Sequence, residues 1–339
     1  MGRINVLSID GGGIRGIIPA SILAALQQRV GRPLHEIFDL ISGTSTGGII
    51  ALGIGTTANG NQPYSPADLI GLYVQNGPAI FKKSLLTPAK SLFGPKYSPD
   101  ALEQTLEQFF GETRFRTALT PLLISSYDLT TQLPYFFKSH RIARNPAYDW
   151  EAKKIARATS AAPTFFPPFQ ATRDNKERAF VDGGIFVNNP AMAAYAEARN
   201  AYNDATDFFV LSVGTGDRYD RITYKQAKGW GLLGWARQII PVMMDSVSEA
   251  VDYELNAIFG STAKHVHFRL QPELTIASND MDDTSPQNLN NLKKQAEEFL
   301  RSEAGKIQQI CGELSQGRGS NMPGIGWPAN GKSMGQSGG

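Results

Sequence analysis

Cysteine is almost absent: Cys311 is the single one among 339 residues. An intramolecular disulfide framework is therefore excluded, and a reducing compartment is the expected setting. Histidine is scarce as well, with four residues: His35, His140, His265 and His267. None falls in a loop after a late strand, where a Ser-Asp-His hydrolase carries its base. A surplus of one charge is also missing. Lys plus Arg number 33 and Asp plus Glu 31, a net +2, so no nucleic-acid polymer is expected to be held by bulk charge. No apolar run approaches the roughly 18 residues of a membrane span. The apolar stretch behind Met1-Gly2-Arg3 is broken by Asp10, too early for the core of a signal peptide. Gly2 lacks the Ser or Thr of a myristoylation signal. These absences point to a cytoplasmic protein.

What is present fits a globular chain with a sizeable core: 41% hydrophobic and 19% charged residues, outside the disordered range. Neither an internal repeat nor a clear linker divides it, so residues 1–316 are expected to form one domain with a helical region over 228–316. From residue 317 the chain is rich in Gly, Ser and Asn, which predicts a flexible tail over 317–339.

Residues 4–9 read as a buried strand, 10–16 as a glycine-rich loop, and 17–30 as a helix with Pro19 in its first turn, where proline is tolerated. A second strand over 38–41 runs into Gly43-Thr44-Ser45-Thr46-Gly47-Gly48 and an apolar helix. Strand, tight turn and helix, twice in succession, is α/β organisation. Further strands are predicted over 122–127, 135–138 and 208–213, and helices over 98–110, 151–159 and 190–200. Ser65-Pro66, Ser98-Pro99 and Ser285-Pro286 look like N-caps with proline at N1. Helical spacing follows Pro241 to Ile258 and runs from Leu289 to Leu314, placing Cys311 on or beside an apolar face. His265 and His267 alternate with Val266 and Phe268 like an edge strand and would share one face, a structural or surface role.

Gly43-Thr44-Ser45-Thr46-Gly47 is a G-x-S-x-G pattern between a strand and a helix. There the glycines permit a sharp turn that lifts the Ser45 hydroxyl out of the backbone. The plain alternative is a tight strand-helix turn with a capping serine. With no histidine placed as its base, a carboxylate must serve. Asp182 is the candidate, because Ala179-Phe180-Val181 leads into it and Gly183-Gly184 follow, letting the backbone approach closely. An Asp-Gly-Gly turn by itself is an ordinary turn. Its weight comes from the pairing with Ser45. The third element, Asp10-Gly11-Gly12-Gly13-Ile14-Arg15-Gly16, can present successive N–H groups to an oxyanion. Gly11, Gly13 and Gly16 also satisfy G-x-G-x-x-G, a dinucleotide fingerprint. The next strand end carries Ser45 rather than a ribose-binding acid, and Gly47-Gly48 is followed by Ile49 where a phosphate loop has lysine, so no nucleotide cofactor is expected. Asp280, Asp282 and Asp283 lack the glycine and terminal glutamate of a calcium loop and read as a solvated loop. No metal is expected.

Together these segments resemble the patatin-like phospholipase family. Supporting matches are Ala156-Arg157-Ala158-Thr159-Ser160-Ala161-Ala162-Pro163, Asn188-Asn189-Pro190 and Leu211-Ser212-Val213-Gly214-Thr215-Gly216, in family order across residues 4–216. The resemblance implies a three-layer α/β/α fold on a central, mostly parallel sheet and the release of fatty acids from membrane glycerophospholipids. It implies Ser45 as nucleophile and Asp182 as base, with Gly11, Gly12 and Gly13 as the oxyanion hole, supported by Arg15, Gly43, Gly47, Gly183 and Gly184. It implies no cofactor, and a cytoplasmic protein peripheral to the inner membrane when active, with homo-oligomers allowed. The other function such a fold can host is non-catalytic lipid binding or storage. A narrower resemblance, in length and in the region after residue 216, is to bacterial patatin-like effectors that a cyclic nucleotide switches on in antiphage defence. Trp230, Leu232, Leu233 and Trp235, near Lys228 and Arg237, are candidates for contact with a lipid surface, or for ordinary packing.

Overall fold

The computed structural model describes residues 2–57, 62–82, 94–173, 175–217, 222–261 and 264–315. The expected tail lies outside them. β1 (Ile4–Ile9) is buried along its whole length, as a parallel strand covered on both faces must be. Two helices follow it, α1 (Ile17–Val30) and the short α2 (Leu34–Ile37). β2 (Leu40–Thr44) is equally buried and passes through Ser45 directly into α3 (Thr46–Gly55). The strand predicted over 38–41 thus begins two residues later, because Leu34–Ile37 makes a helical turn first.

α4 (Pro66–Ile80) opens on a capping box in which Ser65 and Asp68 exchange side-chain and backbone hydrogen bonds; α5 spans Asp100–Phe110. β3 (Leu122–Asp128) and β4 (Leu133–Lys138) form a hairpin. α6 (Ala152–Thr159) leads to a second hairpin, β5 (Phe169–Arg173) with β6 (Lys176–Asp182). Polar residues at the start of β6 hide this hairpin from periodicity. Beyond it come α7 (Gly184–Val187), α8 (Ala191–Ala201), β7 (Phe208–Val213) and α9 (Tyr224–Lys228). α10 (Leu232–Phe259), β8 (His265–Leu270), α11 (Pro286–Ser302) and α12 (Ala304–Ser315) complete the described chain. α10 carries Pro241 inside it, so the helix does not begin at the proline as predicted but runs through it. The ring removes one N–H from the ladder, a defect that packing of the following turns outweighs.

The sheet runs β5-β6-β3-β2-β1-β7-β8, with β4 on β3. Pairs β1–β2, β1–β7, β2–β3 and β7–β8 are parallel. Alternate residues of the central strands feed two cores. Leu7, Ile9, Phe209 and Leu211 join α1, α3, α4, α5 and α11 on one face. Ile4, Val6, Phe208 and Val210 join α8 and the end of α10 on the other. The result is the expected three-layer α/β/α arrangement on a mostly parallel sheet. His265, at the start of edge strand β8, stacks among Tyr195, Phe208 and Phe259. His267 pairs through Nδ1 with Asn256 at 3.1 Å. Both are structural, as expected. Cys311 is half-buried against the first core.

One feature of the register decides the site. β4 pairs with residues 123–128 of β3 along one edge. The other edge is shared: β2 pairs with residues 122–125, parallel, and β6 with residues 126–128, antiparallel. Thr44 lies opposite Ser125 and Asp182 opposite Ser126. β2 and β6 therefore meet end to end, and their C-termini arrive at one point.

Candidate active site

Ser45 stands at that point. Its backbone (φ 55°, ψ −124°) is in a region that side chains rarely occupy, a strain of the kind held at functional turns. Two close approaches hold the turn. A methyl on Gly43 would lie 2.1 Å from the Gly47 carbonyl oxygen, and one on Gly47 would lie 2.1 Å from that of Ile9. The Ser45 N–H donates to Thr159 Oγ1 at 2.8 Å, and Thr44 Oγ1 donates to the Val187 carbonyl at 2.7 Å. The N-terminus of α3 points its dipole at the hydroxyl.

Asp182 closes β6 beside it. Its N–H donates to the Ala161 carbonyl at 3.0 Å, and its Oδ1 accepts the Gly184 N–H at 2.7 Å. Burial raises the carboxyl to a pKa of about 7, opposed by hydrogen bonds from the Ser45 side chain and the Gly184 N–H. Hydroxyl and carboxylate line one cleft in a site that water scarcely reaches: Ser45 is 7% exposed and Asp182 3%. Gly183 packs on Ser125, where a methyl would lie 2.4 Å from Oγ.

The glycine loop crosses above the pair. Gly11, Gly12 and Gly13 were all expected to offer N–H donors. Gly11 does not, because its N–H is taken by the Asn188 carbonyl at 3.2 Å. Among the described residues no carbonyl accepts from Gly12 or Gly13, leaving those two N–H groups open at the start of a helical turn. Gly13 has φ +59°, a left-handed conformation that glycine adopts without strain. Arg15 is buried and lies behind the loop. Its Nη1 donates to the Gly216 carbonyl at 3.2 Å and to Asn279 Oδ1 at 2.5 Å. It braces the loop without lining the pocket.

Several further residues brace the loop. Asp10 forms a buried ion pair with Arg269 at 2.6 Å, and Arg269 Nη1 donates to Ser212 Oγ at 2.8 Å. Thr215 Oγ1 donates to the Gly11 carbonyl at 3.0 Å. Met281 offers its carbonyl to the Ile14 N–H at 2.9 Å, while Asp282 accepts from the Tyr97 hydroxyl at 2.5 Å and from Lys96. The acidic loop read as merely solvated is therefore a strap over the glycine loop. The signal that could have found it is Met281 itself, an apolar residue inside an acidic run.

Ser45 and Asp182 open into an apolar cleft of about 860 Å³, mouth included, between α3, α4, α5, residues 160–166, α10 and Met281. Ile49, Leu72, Leu102, Leu106, Phe166 and Met244 line it, a wall suited to a hydrocarbon chain. Trp230 and Trp235 meet edge to face at 5.1 Å outside it.

Known proteins resemble this chain over most of its length. The family profile described as Patatin-like phospholipase matches residues 7–195. Patatin-T5 of Solanum tuberosum is 34% identical over 89% of this chain and 85% of its own length. Patatin-like protein 2 of Arabidopsis thaliana is 32% identical over 91% of this chain and 86% of its own. Patatin-17 of Solanum cardiophyllum is 35% identical over 88% and 84%. The chain belongs to the patatin-like phospholipase family.

Proposed function

We propose that this protein cleaves acyl esters of membrane glycerophospholipids through a dyad of Ser45 and Asp182 and a covalent acyl-enzyme. Lipid acyl hydrolysis follows from family membership; the dyad, the intermediate and the substrate's setting are the proposal. The observation that carries it is that Ser45 and the buried Asp182 carboxyl lie together at the head of one apolar cleft. Ser45 Oγ attacks the ester carbonyl and Asp182 accepts its proton. A carboxylate of ordinary pKa, near 3.9, is a weak base at neutral pH; raised to about 7 by burial, it suits proton transfer there. The Gly12 and Gly13 N–H groups receive the oxyanion, each such donor being worth about 3 kcal/mol. The proton passes from Asp182 to the departing alcohol. Water then attacks the acyl carbon, gives its proton through Asp182 to Ser45, and frees the fatty acid.

The test is product analysis on mixed phospholipid vesicles, with fluorophosphonate labelling of Ser45. Ser45→Ala and Asp182→Ala are each expected to abolish fatty-acid release while remaining folded. Near-normal release by either refutes the dyad, and no turnover by a protein that does not label at Ser45 favours the lipid-binding alternative.

A lipid surface fits the first half of α10. Trp235, Ile239 and Met243 are exposed and follow one another at four-residue intervals, so they share a face. Ile240 and Met244, one position on from two of them, line the cleft. An apolar ridge beside the mouth supports peripheral docking, and among the described residues no helix is long and apolar enough to cross a membrane. Trp235→Glu is expected to weaken vesicle binding before it slows hydrolysis of a soluble ester. Activation by a cyclic nucleotide in antiphage defence rests on the narrower resemblance alone. Equal hydrolysis with and without a panel of cyclic dinucleotides removes it.

A further inference from the structure

The acidic strap over the glycine loop is pinned at both ends. Asn288, in the first turn of α11, accepts the Ser278 N–H on Oδ1 at 2.8 Å and donates through Nδ2 to the Asp283 carbonyl at 2.8 Å. Arg15 holds Asn279. Between these anchors Met281 lies against the loop. Its carbonyl takes the Ile14 N–H, and a methyl on Gly13 would lie 2.2 Å from that carbonyl oxygen and 3.0 Å from Met281 Cβ. The peptide between Gly13 and Ile14 is thus clamped from outside. Gly13 and Met281 line the cleft together with Ser45.

Asp282, the next residue, reaches a distant part of the chain. Its carboxylate accepts from the Tyr97 hydroxyl at 2.5 Å and from Lys96. Tyr97 is itself held in two ways. The Lys96 and Tyr97 N–H groups donate to the Thr164 and Phe165 carbonyls at 2.8 and 2.9 Å. The Tyr97 ring meets Phe81 at 5.4 Å and Phe166 at 5.9 Å between centroids, and both of these line the cleft. The wall of the cleft is therefore joined to the strap through a hydroxyl and a carboxylate. A hydrogen bond to a charged oxygen is stronger than a neutral one. The Asp282 side chain is 12% exposed, so solvent screens that bond little; the Lys96 side chain is 43% exposed, and its ion pair contributes less.

We propose that the contact between Asp282 and Tyr97 positions the Gly13 N–H for the oxyanion. The inference rests on the reading of Ser45, Asp182 and the glycine loop given above. Such a donor helps only when it is aimed at the place where charge develops. Gly13 has φ +59° and no side chain to keep it there, and glycine leaves such a conformation easily. The loop's own bonds fix its neighbours: the Gly11 N–H is on the Asn188 carbonyl, and the Arg15 N–H is on the Gly12 carbonyl at 3.2 Å. Gly13 is set by the Met281 carbonyl, and Asp282, through Tyr97, sets Met281. Asp282 and Tyr97 are thus positioning residues that touch neither substrate nor reacting atoms. The oxyanion exists in the transition states of both half-reactions and not in the bound ester. Loss of the contact therefore lowers kcat and leaves KM in place.

The test uses a soluble p-nitrophenyl ester, an alkyl trifluoromethyl ketone and an alkanol of matching chain length. The ketone imitates the intermediate: Ser45 Oγ bonds to its carbonyl carbon, the C=O electron pair moves onto oxygen, and the Ser45 proton passes to Asp182. The alkanol fills the cleft without forming an oxyanion. Asp282→Ala and Tyr97→Phe are each expected to lower kcat by about 10- to 100-fold, less than outright removal of an oxyanion donor costs, with KM unchanged. Inhibition by the ketone is expected to weaken by the same factor, and inhibition by the alkanol to stay as it was. The double variant is expected to lose no more than either single one, because the two groups act through one contact. Asp282→Asn keeps an acceptor for the Tyr97 hydroxyl and is expected to recover most of the activity. Unchanged kcat in Asp282→Ala or Tyr97→Phe overturns the proposal. So does equal weakening of ketone and alkanol, losses that multiply in the double variant, or an Asp282→Asn protein no better than Asp282→Ala. If Asp282→Ala does not fold, Tyr97→Phe, which keeps the buried ring, decides alone. A failure of the dyad reading looks different: fluorine NMR then shows no hemiketal on Ser45 in the wild type, and the inference falls with it.

Discussion

Asp182→Asn is expected to make the protein more stable and inactive, and to do so in a pH-dependent way. The carboxyl of Asp182 ordinarily titrates at 3.8 and in the folded protein at about 7 because burial disfavours its charge. Between those values the folded state holds a proton that the unfolded state has released. Stability therefore falls as pH rises through the window from about 4 to 7, and the loss is complete above it. A rise of about three pKa units corresponds to about 4 kcal/mol, an upper figure for what the charged carboxylate costs at pH 8. Asparagine keeps an oxygen for the Gly184 N–H and offers an amide hydrogen to Ser45, without a charge to desolvate. Thermal melts of both proteins at pH 5 and pH 8 measure the effect. The variant's advantage is expected to be small at pH 5 and to widen at pH 8. The same titration sets the acid limb of log(kcat/KM) for ester hydrolysis at about pH 7 in the wild type. An advantage of equal size at both pH values, or an acid limb near pH 4, would refute the account of Asp182 as a carboxyl raised by burial.

Thr159→Val removes the acceptor of the Ser45 N–H; a buried donor left unpaired costs about 1–3 kcal/mol, read as a lower melting temperature together with a reduced kcat. Arg269→Met strands Asp10, whose only ion-pair partner among the described residues is Arg269, and is expected to destabilise by about 3–5 kcal/mol in urea unfolding. Leu106→Trp fills the cleft from α5 and is expected to lower kcat/KM for long-chain esters far more than for butyrate, measured as the ratio between C16 and C4 p-nitrophenyl esters.

Local chemistry was legible in the residues. Gly43-Thr44-Ser45-Thr46-Gly47 can hardly be anything but a sharp turn between a strand and a helix, because a side chain on Gly43 or Gly47 would strike backbone. The glycine loop, the Ser65 and Ser285 N-caps and the apolar strands follow from steric and hydrophobic rules that act over a few residues; Ser98 is not the expected cap of α5, because the helix starts one residue later and Pro99 takes the cap position without a side-chain hydrogen bond. The elements that went unread were those with mixed signals. β5 and the start of β6 are polar because they form a surface hairpin. Pro241 concealed the first turns of α10. The acidic run around Met281 masked a strap whose contacts, to Ile14 and Tyr97, lie far away in sequence.

What the chain's own order cannot specify is that β2 and β6 share one edge of β3. Periodicity assigns each strand its faces, but pairing is chosen by the whole sheet. Only there do Thr44 and Asp182 fall opposite the consecutive residues Ser125 and Ser126, which brings Ser45 and Asp182 to the head of one cleft. The burial that raises the Asp182 carboxyl and the carbonyl that takes Gly11 out of the donor set are likewise consequences of packing between distant segments. Sequence alone supplied the groups for the chemistry; tertiary structure decided their distances, and with them their acidity.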